Sequence, residues 1–117
     1  MKTKIFITGV AGFIGFHTAV RFLEKGHFVR GLDSMNNYYD LNLKQARLKI
    51  LKKYKKFSFI KAKIENKKIL NKTIINFKPK ILIHLAAQAG VRYSIEKPEI
   101  YLNSNIIGTF NIIEISK

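Results

Sequence analysis

Three glycines placed between a strand and a helix constrain this chain more than any other feature. Lys4-Ile5-Phe6-Ile7-Thr8 is a short β-branched and aromatic run closed by Gly9, the pattern of a strand buried on both faces. From Gly12 to Lys25 the apolar residues Phe13, Ile14, Val20 and Leu23 recur at roughly a helical period, and Gly26 supplies the stop. The turn between them reads Thr8-Gly9-Val10-Ala11-Gly12-Phe13-Ile14-Gly15. Gly9 suits a tight turn, Gly12 lets backbone approach a ligand without a Cβ in the way, and Gly15 lets the helix pack close to the strand. Amides at the helix N-terminus then face a pyrophosphate, the geometry of a dinucleotide fingerprint.

The rest of the chain supplies the context that such a loop needs. His27 to Leu32 reads as a second strand and runs into Asp33, 18 residues beyond Gly15. A carboxylate there accepts from both hydroxyls of a ribose, which favours NAD over NADP because a 2′-phosphate would be repelled; Arg30 nearby works against that preference. After the polar turn Ser34-Met35-Asn36-Asn37, residues 41–55 look helical and Phe57 to Ala62 alternates as a strand. Residues 66–77 carry Ile69, Leu70, Ile74 and Phe77 at helical spacing, and Lys78-Pro79-Lys80 breaks them off. Ile81 to Leu85 is a continuous apolar strand that opens into a small-residue loop from Ala86 to Gly90. A last helix starts near Pro98, presents Leu102, Ile106, Phe110 and Ile113 on one face and runs to Lys117 with no fifth strand after it. This alternation predicts an α/β fold: a Rossmann-like parallel sheet of order 3-2-1-4, helices on both faces, incomplete for want of later strands. Residues 1–117 make one domain, in keeping with their length.

Composition excludes several function classes. With no cysteine and with His17, His27 and His84 dispersed, the chain has no disulfide framework, thiolate nucleophile or paired-histidine metal site, so no metal is expected. Neither a membrane span nor a signal peptide is legible, and a cytoplasmic protein follows as the expectation. The net charge of +15 raises the question of nucleic acid. Its distribution answers it, because 14 Lys or Arg and one acid, Glu65, lie between Lys44 and Lys80. Eighteen lysines accompanied by 18 isoleucines and 9 asparagines read as a coding bias rather than a ligand footprint. Tyr54, Phe57 and Phe59 look like edges of core elements, not a stacking platform, so no specific nucleic-acid partner is expected.

The Gly9-x-x-Gly12-x-x-Gly15 spacing resembles the extended short-chain dehydrogenase/reductase superfamily. Three segments narrow the likeness: Gly31-Leu32-Asp33-Ser34-Met35-Asn36-Asn37-Tyr38-Tyr39-Asp40, His84-Leu85-Ala86-Ala87-Gln88-Ala89-Gly90-Val91-Arg92-Tyr93-Ser94, and Asn103-Ser104-Asn105-Ile106-Ile107-Gly108-Thr109. Together they resemble the NAD-dependent nucleotide-sugar epimerases and dehydratases, in particular the UDP-glucuronate 4-epimerases, over essentially the whole chain. The resemblance implies an isomerase of nucleotide-sugar metabolism and polysaccharide biosynthesis, in which NAD stays bound, takes a hydride from sugar C4 and returns it to the opposite face. It implies that Gly9, Gly12, Phe13, Ile14 and Gly15 hold the pyrophosphate, Asp33, Ser34 and Asn37 the adenosine ribose, and Leu85, Ala86 and Ala87 the nicotinamide-side ribose and phosphate. Asn105 braces the cofactor loop in this likeness. One position departs from it, since the family places an aspartate for the adenine amino group where Ala62-Lys63-Ile64-Glu65-Asn66 offers Lys63.

Other candidates are weighed on the residues themselves. Arg92, in the loop after the fourth strand, either meets a uronate carboxylate or diphosphate of a substrate, or pairs with Glu96 or Glu99 at the surface. His84 reads as a core histidine, its neighbours offering no carboxylate. The superfamily's catalytic Tyr-x-x-x-Lys has one match, Tyr93-Ser94-Ile95-Glu96-Lys97, where five tyrosines and 18 lysines in 117 residues make about 0.8 matches expected by chance. Pro98 pushes Lys97 out of the helical region that the motif needs. No catalytic residue is therefore assigned, and the chain is expected to be the inactive, cofactor-binding N-terminal part of an epimerase converting UDP-glucuronate and UDP-galacturonate. The alternatives are another extended nucleotide-sugar epimerase or dehydratase, or a non-catalytic dinucleotide-binding module. The expected partner is a UDP-hexuronate in the full-length enzyme, with no membrane and with a homodimer only for a full-length form.

Overall fold

Strand β1 (Lys4–Thr8) forms where the apolar run predicts it in the computed structural model, which describes residues 2–35, 41–87 and 96–116. It pairs in parallel with β2 (Phe28–Asp33) on one side and with β4 (Ile81–His84) on the other. β2 in turn carries β3 (Phe57–Lys61), so the sheet has the expected order β3-β2-β1-β4. The chain reverses direction across the sheet between β3 and β4. That reversal opens a crevice at the carboxyl ends of β1 and β4.

Helices cover both faces: α1 (Phe13–Glu24) and α2 (Leu41–Leu51) on one, α3 (Lys67–Phe77) on the other. Successive side chains of β1 point to opposite faces, so Ile5 and Ile7 pack with Ala19 and Leu23 of α1 and Leu51 of α2. Phe6 packs instead with Leu70, Ile74 and Phe77 of α3. Burying each of these large apolar side chains stabilises the fold by about 2 kcal/mol. A strand sandwiched in this way has no wet face, which is why its sequence is an unbroken apolar run.

Element boundaries follow local chemistry. Asn66 caps α3 by accepting from the Ile69 amide at 3.2 Å, and α3 ends on Lys78, left-handed at φ 53°, just ahead of Pro79. α2 stops at Leu51 and does not reach residue 55. Its tail folds into turns, the Tyr54 amide donating to the Leu51 carbonyl and the Phe57 amide to the Tyr54 carbonyl, while Tyr54 packs on the first core. Four lysines in that tail favour a solvated turn over a further helical one. Tyr54, Phe57 and Phe59 all sit against the core, as their reading as edge residues expects.

The C-terminal helical run corrects the sequence reading. Pro98 does occupy its first turn, but the run is α4 (Pro98–Tyr101), a π-helical stretch over Leu102–Ile107, then α5 (Gly108–Ile115). The apolar stripe faces outward: Leu102, Ile106, Phe110 and Ile113 are 50%, 62%, 55% and 54% exposed. Gly108, Asn111 and Ile112 are buried in its place. The cause is docking against the loop after β3. A Cβ on Gly108 would lie 2.3 Å from Ile64 Cγ1, and the Asn111 side-chain amide donates to the carbonyls of Ile64 at 3.2 Å and Glu65 at 3.3 Å. A missing side chain and a polar one therefore set the rotation of α5, and the i→i+5 stretch before it interrupts the 3.6-residue period that projects the stripe inward.

Candidate functional site

A cavity of about 550 Å³ lies over the carboxyl ends of the strands. One wall is the turn between β1 and α1. Gly9 has φ +71°, and a Cβ there would fall 2.8 Å from the Ala86 amide nitrogen, so the loop after β4 rests directly on the turn. Gly15 is closer still, its imagined Cβ lying 2.1 Å from the Gly9 carbonyl oxygen. Only hydrogen fits, and α1 can press against β1 for that reason. Gly12 has no side-chain cap, no acid stands in the first turn, and the first intrahelical bond of this turn is Phe16 N–H to the Gly12 carbonyl at 2.9 Å. The amides of Phe13, Ile14 and Gly15 thus precede the hydrogen-bond ladder and lie at the cavity, with the positive end of the helix dipole behind them. Uncapped amides with the dipole behind them attract negative charge.

A second wall is centred on Asp33. Its carboxylate accepts from the Ala11 amide at 3.0 Å and the Met35 amide at 2.8 Å, and Lys44 Nζ stands 3.5 Å away. Both charged residues are buried, Asp33 5% and Lys44 9% exposed. The pair is held by two elements that meet only in three dimensions, the end of β2 and the first turn of α2. Three residues on from Lys44, on the same helix face, Arg47 donates to the Ala11 carbonyl at 3.1 Å and also lines the cavity. These two cations belong to the basic stretch read above as coding bias. That reading is corrected for Lys44 and Arg47, which have defined partners. Arg30, expected beside Asp33, lies elsewhere: it donates to Ser58 Oγ at 3.0 Å and to the Thr73 carbonyl at 3.1 Å, with its guanidinium over the Phe77 ring.

The third wall, Leu85 to Ala87, is tied to β1 through Thr8. The Thr8 hydroxyl accepts from the amides of Leu85 at 2.9 Å and Ala86 at 3.1 Å, which uses both of its lone pairs. Its own proton must then go to His84 Nδ1, 2.7 Å away. His84 is accordingly neutral with its proton on Nε2, which donates to Thr109 Oγ1 at 3.1 Å. Burial holds the His84 pKa below its ordinary value. The histidine joins β4 to α5; it is half-buried rather than in the core, and its partners are two threonines, with no carboxylate among them as the sequence reading expects.

Gly9, Gly12, Phe13, Ile14 and Gly15 line the cavity together with Asp33, Ser34 and residues 85–87, as the sequence groups them. Asn105 is not among the lining residues; it sits half-buried in the π-helical stretch, and its neighbour Ser104 lines the wall instead. Asn37 and Arg92 lie outside the described residues, as does Tyr93. Lys97 precedes α4 with φ −134°, outside the helical region as Pro98 requires. Lys63 lines the cavity, beside Ala62, Ile64 and Glu65. Lys44, Arg47 and Ser104 escape a reading built on loops, although the three-residue spacing of Lys44 and Arg47 just after the second strand is a signal that both face one way. Among the described residues, no group of three or more His, Asp or Glu could hold a metal, and no helix is long and apolar enough to cross a membrane.

Comparison with known proteins bears on the family and the fold. The sequence profile of the GDP-mannose 4,6 dehydratase family matches residues 6–117. The protein CapI of Staphylococcus aureus is 51% identical over 114 residues, covering 97% of this chain and 34% of that protein. A probable UDP-glucuronate 4-epimerase of Rhizobium meliloti is 46% identical over 114 residues, covering 97% of this chain and 33% of its own length. Among solved structures, the UDP-glucuronic acid 4-epimerase of Bacillus cereus, in complex with UDP-glucuronic acid and NAD, superposes with a TM-score of 0.86 at 32% identity, covering 96% of this chain and 35% of that one. The chain spans about a third of the length of the curated relatives it matches. By sequence profile, by similarity to these relatives and by its β3-β2-β1-β4 sheet with a glycine turn at the switch point, this chain belongs to the GDP-mannose 4,6 dehydratase family of nucleotide-sugar enzymes.

Proposed function

We propose that the chain is the NAD-binding portion of a nucleotide-sugar 4-epimerase that interconverts UDP-glucuronate and UDP-galacturonate. The observation that carries this reading is the uncapped α1 N-terminus opening, across Gly12, on the same cavity as the buried Asp33 carboxylate. The chemistry a nicotinamide supplies in such a site is reversible acceptance of the hydride from sugar C4. This chain's own residues bind and orient: the amides of Phe13, Ile14 and Gly15 neutralise the pyrophosphate, and Asp33 with Ser34 receives the adenosine ribose hydroxyls. Leu85, Ala86 and Ala87, fixed through Thr8 and His84, form the wall for the nicotinamide-side ribose and phosphate. Asn37 joins the ribose site and Arg92 the uronate or diphosphate in the same reading. The hexuronate choice is supported by the likeness to relatives that carry glucuronate in their names.

One step lies outside these residues. Proton transfer at the C4 hydroxyl needs an acid/base within hydrogen-bond reach, and Lys97 at φ −134° is outside the helical conformation that a Tyr-x-x-x-Lys pair needs, so in this reading residues 1–117 bind cofactor without turning over UDP-glucuronate. Titration calorimetry with NAD and NADP tests the site. NAD binds more tightly, because Asp33 repels a 2′-phosphate, but Lys44 and Arg47 soften that repulsion; Lys44→Met widens the NAD/NADP ratio by about tenfold. Tighter NADP binding by the parent chain would remove Asp33 from the ribose site.

A further inference from the structure

The buried Thr8 hydroxyl holds the loop after β4 with no capacity to spare. It accepts from the Leu85 and Ala86 amides and donates its own proton to His84 Nδ1, so one donor and two lone pairs are all in use. A proton added at Nδ1 reverses the link to the ring. Three donors, Nδ1–H and the two amides, then compete for two lone pairs. Leu85 keeps a partner in any case, since its amide also reaches the Thr8 carbonyl at 3.2 Å. The Ala86 amide has Thr8 Oγ1 as its one acceptor among the described residues and is the group displaced. Its nitrogen is also the atom that lies 2.8 Å from where a Cβ on Gly9 would stand, so the same peptide supports the third wall and the glycine turn. Nε2–H donates to Thr109 in either state, which confines the change to the Nδ1 side. No charged group balances the added proton. The elements packed on the ring present Thr8 from β1 and Thr109 from α5, and the charged residues of those elements are Lys4, at the opposite end of β1, and Glu114, further along α5. Burial alone lowers the His84 pKa.

Given the dinucleotide reading above, on which this inference rests, we propose that His84 is a positioning residue for the cofactor. The neutral ring keeps Ala86 on Thr8 and the wall of residues 85–87 formed; protonation at Nδ1 releases Ala86 and weakens dinucleotide binding. Calorimetric titration of NAD into the parent chain and His84→Asn, in steps from about pH 7.5 to about pH 5, reads the coupling, with circular dichroism at each step to show a folded chain. Asparagine sets its amide oxygen as many bonds from Cα as Nδ1 and takes up no proton. The parent loses about fivefold in NAD affinity as the ring titrates, the worth of one neutral hydrogen bond, while the affinity of His84→Asn stays level. A second readout needs no cofactor. Amide hydrogen exchange, corrected for its intrinsic pH dependence, shows Ala86 losing about tenfold in protection as the NMR signals of the His84 ring titrate, and Leu85 retaining its own. By reciprocity, NAD moves that ring titration to lower pH. A level NAD profile in the parent, an equal fall in His84→Asn, or protection at Ala86 that does not follow the ring overturns the inference and leaves the dinucleotide reading intact. A folded parent chain that binds no NAD at any of these pH values overturns both.

Discussion

The two ends of the cavity are built from different material. At the α1 end the wall is the glycine turn: the first-turn amides of α1 and the space left by Gly9, Gly12 and Gly15. At the β3 end the wall residues include the charged Asp33, Lys44, Arg47, Lys63 and Glu65, brought from β2, α2 and the loop after β3. A backbone site tolerates changes in its neighbours but no added atom. A side-chain site tolerates added atoms but no unbalanced charge. The two ends should therefore fail in different ways.

The largest effect is expected from Gly15→Val. Its Cβ would collide with the Gly9 carbonyl and the Val10 Cα, atoms of the backbone that cannot rotate aside. We expect a loss of at least about 3 kcal/mol in urea denaturation and of at least about a hundredfold in NAD affinity. A variant of parental stability and affinity would show that this end is not closed by backbone. Next comes Asp33→Ala, which leaves Lys44 buried without its partner and the Ala11 and Met35 amides without an acceptor. About 2 kcal/mol of stability is expected to go, and Asp33→Ala combined with Lys44→Met should recover part of it. No recovery would mean that the amides, not the charge, carry the cost.

A smaller effect tests what holds the β3 end in place. Gly108→Ala drives a methyl group into the Ile64 side chain, which can yield in part, so about 1 kcal/mol is expected from thermal unfolding, with NAD affinity falling several-fold because the loop carrying Glu65 shifts. Unchanged affinity alongside lowered stability would uncouple α5 from the cavity. The smallest effect is pH-dependent. Below about pH 6.5 the unfolded chain takes up a proton at His84 that the folded chain, its pKa lowered by burial, refuses until lower pH. Stability therefore falls as the pH drops from about 7 through the folded pKa and levels off beneath it. His84→Gln should flatten that slope between about pH 7.5 and about pH 5 in denaturant titrations; an unchanged slope would place the titration on another group.

The contrast between the two ends is also a contrast in legibility. Order within the sheet, the glycine turn and Asp33 at the end of β2 are written in runs and spacings of fewer than about twenty residues, and the structure has them where the sequence puts them. Contiguity is the reason: a buried parallel strand has to be apolar throughout, and a turn that must shed its Cβ atoms has to be glycine. The α1 end is backbone geometry, so a motif suffices to describe it.

Partners separated along the chain were not legible. The sequence makes Lys44 one cation among 14 in a basic stretch, and only the approach of α2 to β2 turns it into the buried partner of Asp33. It also sets Arg30 beside Asp33 by proximity, whereas strand alternation sends the two side chains to opposite faces and Arg30 to Thr73. The apolar stripe of the last helix points outward because Gly108 and Asn111 make the contact with Ile64 and Glu65. Hydrophobic periodicity registers what a helix can bury, but its rotation is decided by which face fits the neighbour it meets. The amino-acid sequence by itself determined the sheet, its order and the glycine turn, since these follow from local pattern and chain handedness; tertiary structure alone decided the charge pairing at Asp33 and the face of α5, since both depend on distances between elements that no local pattern records.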